Sequence, residues 1–237
     1  MEYSSKKKIG KTILVIAAHP DDEVLGCGAS IAKWAAAGDT VHIIIMAEGA
    51  TSRSQERNSN ALNEELALLE KAAQSAGIIL GAASVKLLNF PDNRMDSLDR
   101  LDVIKAIEFE IENLKPDTVV THHCGDVNID HRITHEAVIT ACRPQPGHSV
   151  RLLLAFEVVS STEWQPASSN TPFQPNWFED VTETFVHKIN ALQAYNEEMR
   201  EWPHPRSIKN IEYLAKYRGS SVGCEFAESF MLLRLCK

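Results

Sequence analysis

Short β-branched runs alternate with longer amphipathic stretches through the first half of the chain, the pattern of a parallel sheet covered by helices on both faces. Strands are predicted near 13–18, 41–46, 84–88 and 117–121. Helices are predicted near 23–37, 58–76, 99–114 and 131–142, with Gly38 and Gly77 standing where helix C-caps would fall. A sheet of this kind binds its ligands beyond the carboxyl ends of its strands. Residues 151–159 read as a further buried strand, and the Ser/Thr/Pro/Asn-rich stretch 160–176 as a long surface loop, with Trp164 and Trp177 as core residues or an apolar wall for a ligand ring. The C-terminal third predicts a helix near 184–201, ended by Pro203 and Pro205, a second near 207–218 and a last strand near 226–235. No internal repeat or low-complexity segment interrupts this order.

At 237 residues, 44% of them hydrophobic, the chain can bury one sizeable core, so one α/β domain over 11–237 is expected behind a basic tail, 1–10. The formal net charge of -8 argues against nucleic acid or an anionic membrane as partner, because phosphate binding needs a concentrated basic surface. A small molecule is the expected partner, and a homo-oligomer is as compatible with the chain as a monomer. Five scattered cysteines, with no C-x-x-C pair, point to reduced thiols in the cytoplasm. The Lys6-Lys7-Lys8 start followed by Ile9–Ala18 is not read as a signal peptide, because Gly10 and Lys11 interrupt the run and it ends in charged residues. No stretch approaches the roughly 20 apolar residues that span a bilayer.

The candidate chemistry sits at two strand ends. Ile13–Ala18 runs into His19-Pro20-Asp21-Asp22-Glu23, so a buried strand delivers an imidazole and three carboxylates to the sheet's carboxyl edge. A helix dipole suits Glu23 but does not explain a histidine and two aspartates directly after a core strand; crowded carboxylates call for a bound cation or a proton-transfer role. The second cluster, Thr121-His122-His123-Cys124-Gly125-Asp126-Val127-Asn128-Ile129-Asp130-His131, also follows a buried strand. A catalytic zinc takes imidazole and carboxylate ligands and leaves a position for water; His19, Asp22 and His131 would supply that set.

Ala18-His19-Pro20-Asp21-Asp22-Glu23, with Asn128-Ile129-Asp130-His131 downstream, resembles the two-part signature of the PIG-L/LmbE-like family of zinc-dependent N-acetyl sugar deacetylases. The resemblance extends through Arg53, Arg57, Phe90-Pro91-Asp92-Asn93-Arg94, Lys115-Pro116-Asp117, Pro203-His204-Pro205-Arg206-Ser207 and Arg218-Gly219. It implies a Rossmann-like single domain, Zn²⁺ held by His19, Asp22 and His131, and Asp21 as general base. The implied reaction releases acetate and a free amine from an N-acetylated sugar, glycoconjugate or nucleotide-linked sugar. Many members carry a histidine where this chain has Asn128; an amide can donate to a developing oxyanion but cannot shuttle a proton. Asp21, recycling its proton, is then the first choice of general acid, with His122 or His123 behind it. Asp130 is expected to orient a metal ligand or a neighbouring polar group.

Arg53 and Arg57 fall in the polar loop after the second strand, on the same edge as the metal cluster, and are candidate substrate ligands, as are Arg94 and Arg206. His135, four residues after His131, is read as a polar helix residue at the surface or near the site, since the helix lacks the zincin glutamate. Gly26-Cys27-Gly28 lacks the third glycine of a dinucleotide fingerprint, and a close helix-to-sheet contact is its expected use. Residues 160–237 are expected to shape specificity. Two other readings stay open at this point: a zinc amidase acting on a larger amide such as a thiol conjugate, and a non-catalytic sugar- or nucleotide-binding domain.

Overall fold

The computed structural model describes residues 10–49, 63–166 and 171–237. Among these, seven strands form one sheet: β1 (Thr12–Ala17), β2 (Thr40–Ala47), β3 (Ser84–Phe90), β4 (Thr118–His122), β5 (Leu152–Phe156), β6 (Trp177–Asp180) and β7 (Ala227–Leu235). Six α-helices accompany them: α1 (Asp22–Ala36), α2 (Asn63–Leu80), α3 (Arg100–Leu114), α4 (Ile129–Ala141), α5 (Phe185–Ala194) and α6 (Ile208–Ser220). The strand order is β3-β2-β1-β4-β5-β7-β6. It reverses between β1 and β4, which pair in parallel, and that reversal opens a crevice at their carboxyl ends.

The side chains of β1 divide the core. Ile13 and Val15 pack with residues of α1, α2, α5 and α6, while Leu14 and Ile16 pack with residues of α3 and α4. Both faces of the sheet are thus covered, as expected for strands that are apolar at nearly every position. The sheet is mixed rather than wholly parallel: β7 runs antiparallel to both β5 and β6. A strand's hydrophobic pattern reads alike in either direction, so 226–235 is visible in sequence while its polarity is not. Strand β6 spans four residues directly after the stretch 160–176, where the sequence predicts no strand.

Two helix ends also differ from expectation. Gly77 lies inside α2, where an added Cβ would come within 2.3 Å of a Val85 methyl; the turn out of the helix falls instead at Gly81, with φ +75°. Helix α5 ends at Ala194, where the buried Tyr195 turns its hydroxyl onto Glu23 at 2.7 Å, and only a 3₁₀ turn follows.

Helix α1 carries the site and is broken in its middle. Cys27 leaves helical geometry (φ -151°, ψ 25°), which frees backbone groups on both sides. The Glu228 carboxylate of β7 accepts from Ala29 N (3.1 Å) and Ser30 N (2.6 Å), and Lys188 of α5 donates to Leu25 O at 2.7 Å and to Glu228 at 2.6 Å. A buried ion pair therefore replaces the missing helix bonds. The first half of α1 presses so closely on β5 that a Cβ at Gly26 would lie 2.3 Å from the Phe156 ring, the close contact expected of this glycine.

Candidate functional site

Strand β1 ends at Ala17, and the next residues turn over the carboxyl edge of the sheet. Asp21 caps α1 with a left-handed backbone (φ 100°), uncommon for a residue with a side chain. The Glu23 carboxylate accepts from Asp21 N at 3.1 Å, and Tyr195 anchors that carboxylate from the far side. Burial pushes Glu23 up to about 7 against these bonds. This turn sends neighbouring carboxylates to different places. Asp22 points towards two imidazoles, and Asp21 towards Arg206, whose Nη1 donates to Asp21 Oδ2 at 2.5 Å.

His19, Asp22 and His131 meet at three atoms. His19 Nδ1 lies 3.2 Å from Asp22 Oδ2, His131 Nε2 lies 3.1 Å from the same oxygen, and the two nitrogens are 3.3 Å apart. A tetrahedral ion with bonds of about 2.0–2.1 Å separates its ligand atoms by about 3.3 Å, so this triangle has the dimensions of three ligands around zinc. Each imidazole is oriented from behind by a carboxylate. His19 Nε2 lies 3.0 Å from Asp130 Oδ2, and His131 Nδ1 lies 3.1 Å from Asp126 Oδ2. Donating those outer N–H groups turns the inner nitrogens, as lone pairs, into the triangle, the arrangement that imidazole ligands of metals commonly show.

The electrostatics fit a cation. Burial opposes the charged form of His131, yet Asp22 and Asp126 raise it to about 9. Likewise Asp22 is held well below the usual carboxylate range despite its burial, chiefly by the His131 charge and the bonds from His131 and His19. Asp126, also against burial, is lowered to about 2 by His131 and by bonds from Ser161 and Asn128. Positive charge is thus demanded at the triangle, as protons or as a metal ion that displaces them. Asp22 Oδ1 is buried and has no hydrogen-bond partner among the described residues. His19 Nε2, Asp92 and Asp130 also cluster closely enough to hold a metal. There, however, Asp130 already accepts from the backbone N–H groups of Asn93 (2.6 Å) and Met95 (3.0 Å), which suits a positioning group.

Asn128 caps α4, its Oδ1 accepting from Asp130 N at 2.8 Å, and its Nδ2 donates to Asn93 Oδ1 at 2.8 Å. It lines a cleft of about 210 Å³ together with His19, Asp21, His131, Ser160 and Arg206. His122 is fully buried beneath the triangle, with Ala18 N donating to its Nε2 at 2.7 Å and its ring stacked on His131 at 4.0 Å. Burial, with the His131 charge, keeps it well below the ordinary histidine range. His123 points elsewhere, its Nε2 2.9 Å from Thr171 O. His135 is buried rather than on the helix surface, with Nδ1 2.8 Å from His122 O.

Of the four arginines, Arg206 lies in the cleft, and Arg94 is half-buried beside Asn93 but does not line it. Arg53 and Arg57 lie outside the described residues. Trp177 packs partly buried against the core from β6, and Trp164 is exposed. The sequence reading missed Asp126 as the partner of His131, and with it Ser161 and Thr162, whose hydroxyls hold Asp126. Asp126 stands within the second cluster, five residues before His131, but nothing local ties it to residues 30 and more positions away.

Comparisons with known proteins identify the family of the chain. Residues 14–142 match the family model described as PIG-L, GlcNAc-PI de-N-acetylase. The uncharacterized deacetylase YaiS of Escherichia coli is 33% identical over 191 residues, covering 78% of this chain and 90% of YaiS. The structure of N,N'-diacetylchitobiose deacetylase from Pyrococcus horikoshii superposes with a TM-score of 0.76 at 20% identity, covering 99% of this chain and 88% of that one. GalB of Pseudomonas putida, a 4-carboxy-2-hydroxymuconate hydratase, superposes with a TM-score of 0.75 at 23% identity, covering 96% and 98%. Both structures share the fold, and two different reactions on one fold mean that the fold alone does not choose the chemistry.

Proposed function

Because the chain belongs to the PIG-L family of de-N-acetylases, we propose that it is a zinc-dependent hydrolase that removes the acetyl group from an N-acetylated sugar or sugar conjugate. The observation that carries this reading is the convergence, at the β1/β4 crevice, of three donor atoms spaced as zinc ligands with a buried aspartate beside them. Zinc held by His19, Asp22 and His131 would supply Lewis acidity to the acetyl carbonyl and to the attacking water.

The remaining work falls to the chain's own groups. Asp21 has one oxygen on Arg206 and a second, Oδ1, buried with no hydrogen-bond partner among the described residues. Burial in company with other carboxylates, only partly offset by Arg206, raises Asp21 well above the ordinary carboxylate range. A carboxylate so placed is a better base, able to take a proton from the attacking water and return it to the departing amine. Asn128 Nδ2 has two hydrogens; one goes to Asn93, and the second is available to the developing oxyanion. Asp130 and Asp126 act by orienting His19 and His131. His122, deep beneath the triangle, is better suited to support than to proton transfer.

Arg53, Arg57 and Arg94 are assigned to hydroxyl or anionic groups of the substrate, and residues 160–237 to its selection within one domain spanning 11–237. No helix among the described residues is long and apolar enough to cross a membrane, and the cysteines described are all free, which suits a cytoplasmic enzyme acting on a small sugar. The test is to incubate zinc-loaded protein with free, lipid-linked and nucleotide-linked N-acetyl sugars and measure released acetate. Amine release without acetate would point to a larger amide, and zinc binding without any turnover to a non-catalytic domain.

A further inference from the structure

We propose that Arg206 is a positioning residue for Asp21: it clamps one carboxylate oxygen so that the other is left for the reacting proton. The inference rests on the reading of Asp21 as general base. Arg206 lies 64 positions beyond the end of the matched family region, two residues before α6, yet its guanidinium reaches the turn after β1. Nη1 donates to Asp21 Oδ2 at 2.5 Å and lies 3.7 Å from Glu198, and Nε donates to Ser160 Oγ at 2.9 Å.

Each partner is itself fixed. Ser160 has a positive φ of 64°, uncommon for serine, and its N–H is held by Glu163 at 2.6 Å. The backbone of Asp21 is held in its left-handed turn by Glu23. With its backbone tied through Glu23 and Oδ2 tied through Arg206, the Asp21 side chain has little freedom left. Its Oδ1 is buried and has no hydrogen-bond partner among the described residues.

The alternative role, recognition of an anionic substrate group, fits the geometry less well. Two carboxylates already face the guanidinium, so an incoming anion would meet a charge largely neutralised and would have to displace a buried, bonded aspartate. A guanidinium held in a fork by a carboxylate and a hydroxyl is an orienting group.

The two roles separate in kinetics. A positioning residue acts on the chemical step, and a substrate ligand acts on binding. Zinc-loaded Arg206→Lys and Arg206→Ala are compared with wild type for acetate released from N-acetylglucosamine and N,N'-diacetylchitobiose, with zinc content measured on the same samples. The expected result is unchanged zinc, KM within roughly threefold of wild type and a kcat for Arg206→Ala lower by about 10²-fold, partly restored by added guanidinium. A raised KM at unchanged kcat, or loss of zinc, overturns the proposal. Should wild type release acetate from neither sugar, thermal unfolding of Arg206→Ala, Asp21→Asn and the double variant still decides whether the clamp exists. Coupling between the two substitutions supports it, and strictly additive shifts in Tm overturn it.

Discussion

Replacing Lys188 by methionine keeps most of the side chain's volume and removes its charge from the break in α1. The consequences follow from what Lys188 holds. Its side chain is 6% exposed and that of Glu228 4%, so neither charge has appreciable access to water. Without Lys188, the Glu228 carboxylate keeps its bonds from Ala29 N and Ser30 N but loses its counter-ion, and Leu25 O loses its donor. Removing one partner of a buried ion pair costs about 3–5 kcal/mol. With an m value near the upper end of the usual range, about 1–3 kcal/mol/M, the urea midpoint should fall by roughly 1–2 M. Equilibrium urea unfolding followed by circular dichroism reads this directly. Adding Glu228→Gln to Lys188→Met removes the stranded charge while retaining an amide oxygen for the helix N–H groups, so the double variant should lose less than the two single losses summed. A midpoint within a few tenths of a molar of wild type for Lys188→Met, or simple additivity in the double variant, would refute the idea that this pair splints the helix.

Three further outcomes are expected. Ala at His19, Asp22 or His131 should strip zinc as judged by elemental analysis, and Asp126→Asn should weaken it by about 10- to 100-fold in a chelator competition; wild-type affinity in Asp126→Asn would remove that carboxylate from the site's support. Asp21→Asn should retain zinc and fold while losing about 10² to 10⁴-fold in rate, and a variant near wild-type rate would mean that the base lies elsewhere. Gly26→Ala, which drives a Cβ towards the Phe156 ring, should cost about 1–3 kcal/mol in urea unfolding and be eased by Phe156→Leu; no cost would contradict the close approach of α1 to β5.

Much of this architecture is written in local pattern. The apolar run of β1 and the β-branched residues before His122 mark buried parallel strands, and whatever follows such strands must emerge at the carboxyl edge. The two clusters that supply the donor triangle were therefore legible at sequence level, and the family resemblance implied separate roles for Asp21 and Asp22. What was not legible depends on contacts between distant segments. The break at Cys27 is invisible in sequence because the Lys188–Glu228 pair that bonds its freed backbone groups is assembled from α5 and β7. Gly77 looked like a helix end because glycine serves both as a C-cap and as a packing gap, and only the position of Val85 decides between them. Arg206 reads in sequence as a candidate substrate ligand, and its bond to Asp21 is not visible there because that partner stands 185 positions earlier.

These long-range contacts share a direction. The side chains proposed to hold the metal and to act as base belong to the first 142 residues, where the family model matches, while many of the groups that hold them come from later in the chain. Ser161 and Thr162 hold Asp126, Tyr195 holds Glu23, Arg206 holds Asp21, and Lys188 with Glu228 splints α1. The physical reason lies in burial. Asp21, Asp22, Glu23 and Asp126 are each at most 1% exposed, so bulk water is largely excluded from them and most of the bonds they receive come from the protein. The strands that deliver these carboxylates end at the crevice and have no chain left with which to wrap it. Segments that come back over the carboxyl edge after β5 supply several of these donors, alongside the backbone of Asn93, Met95 and Asn128, which makes the C-terminal third part of the scaffold around the cleft.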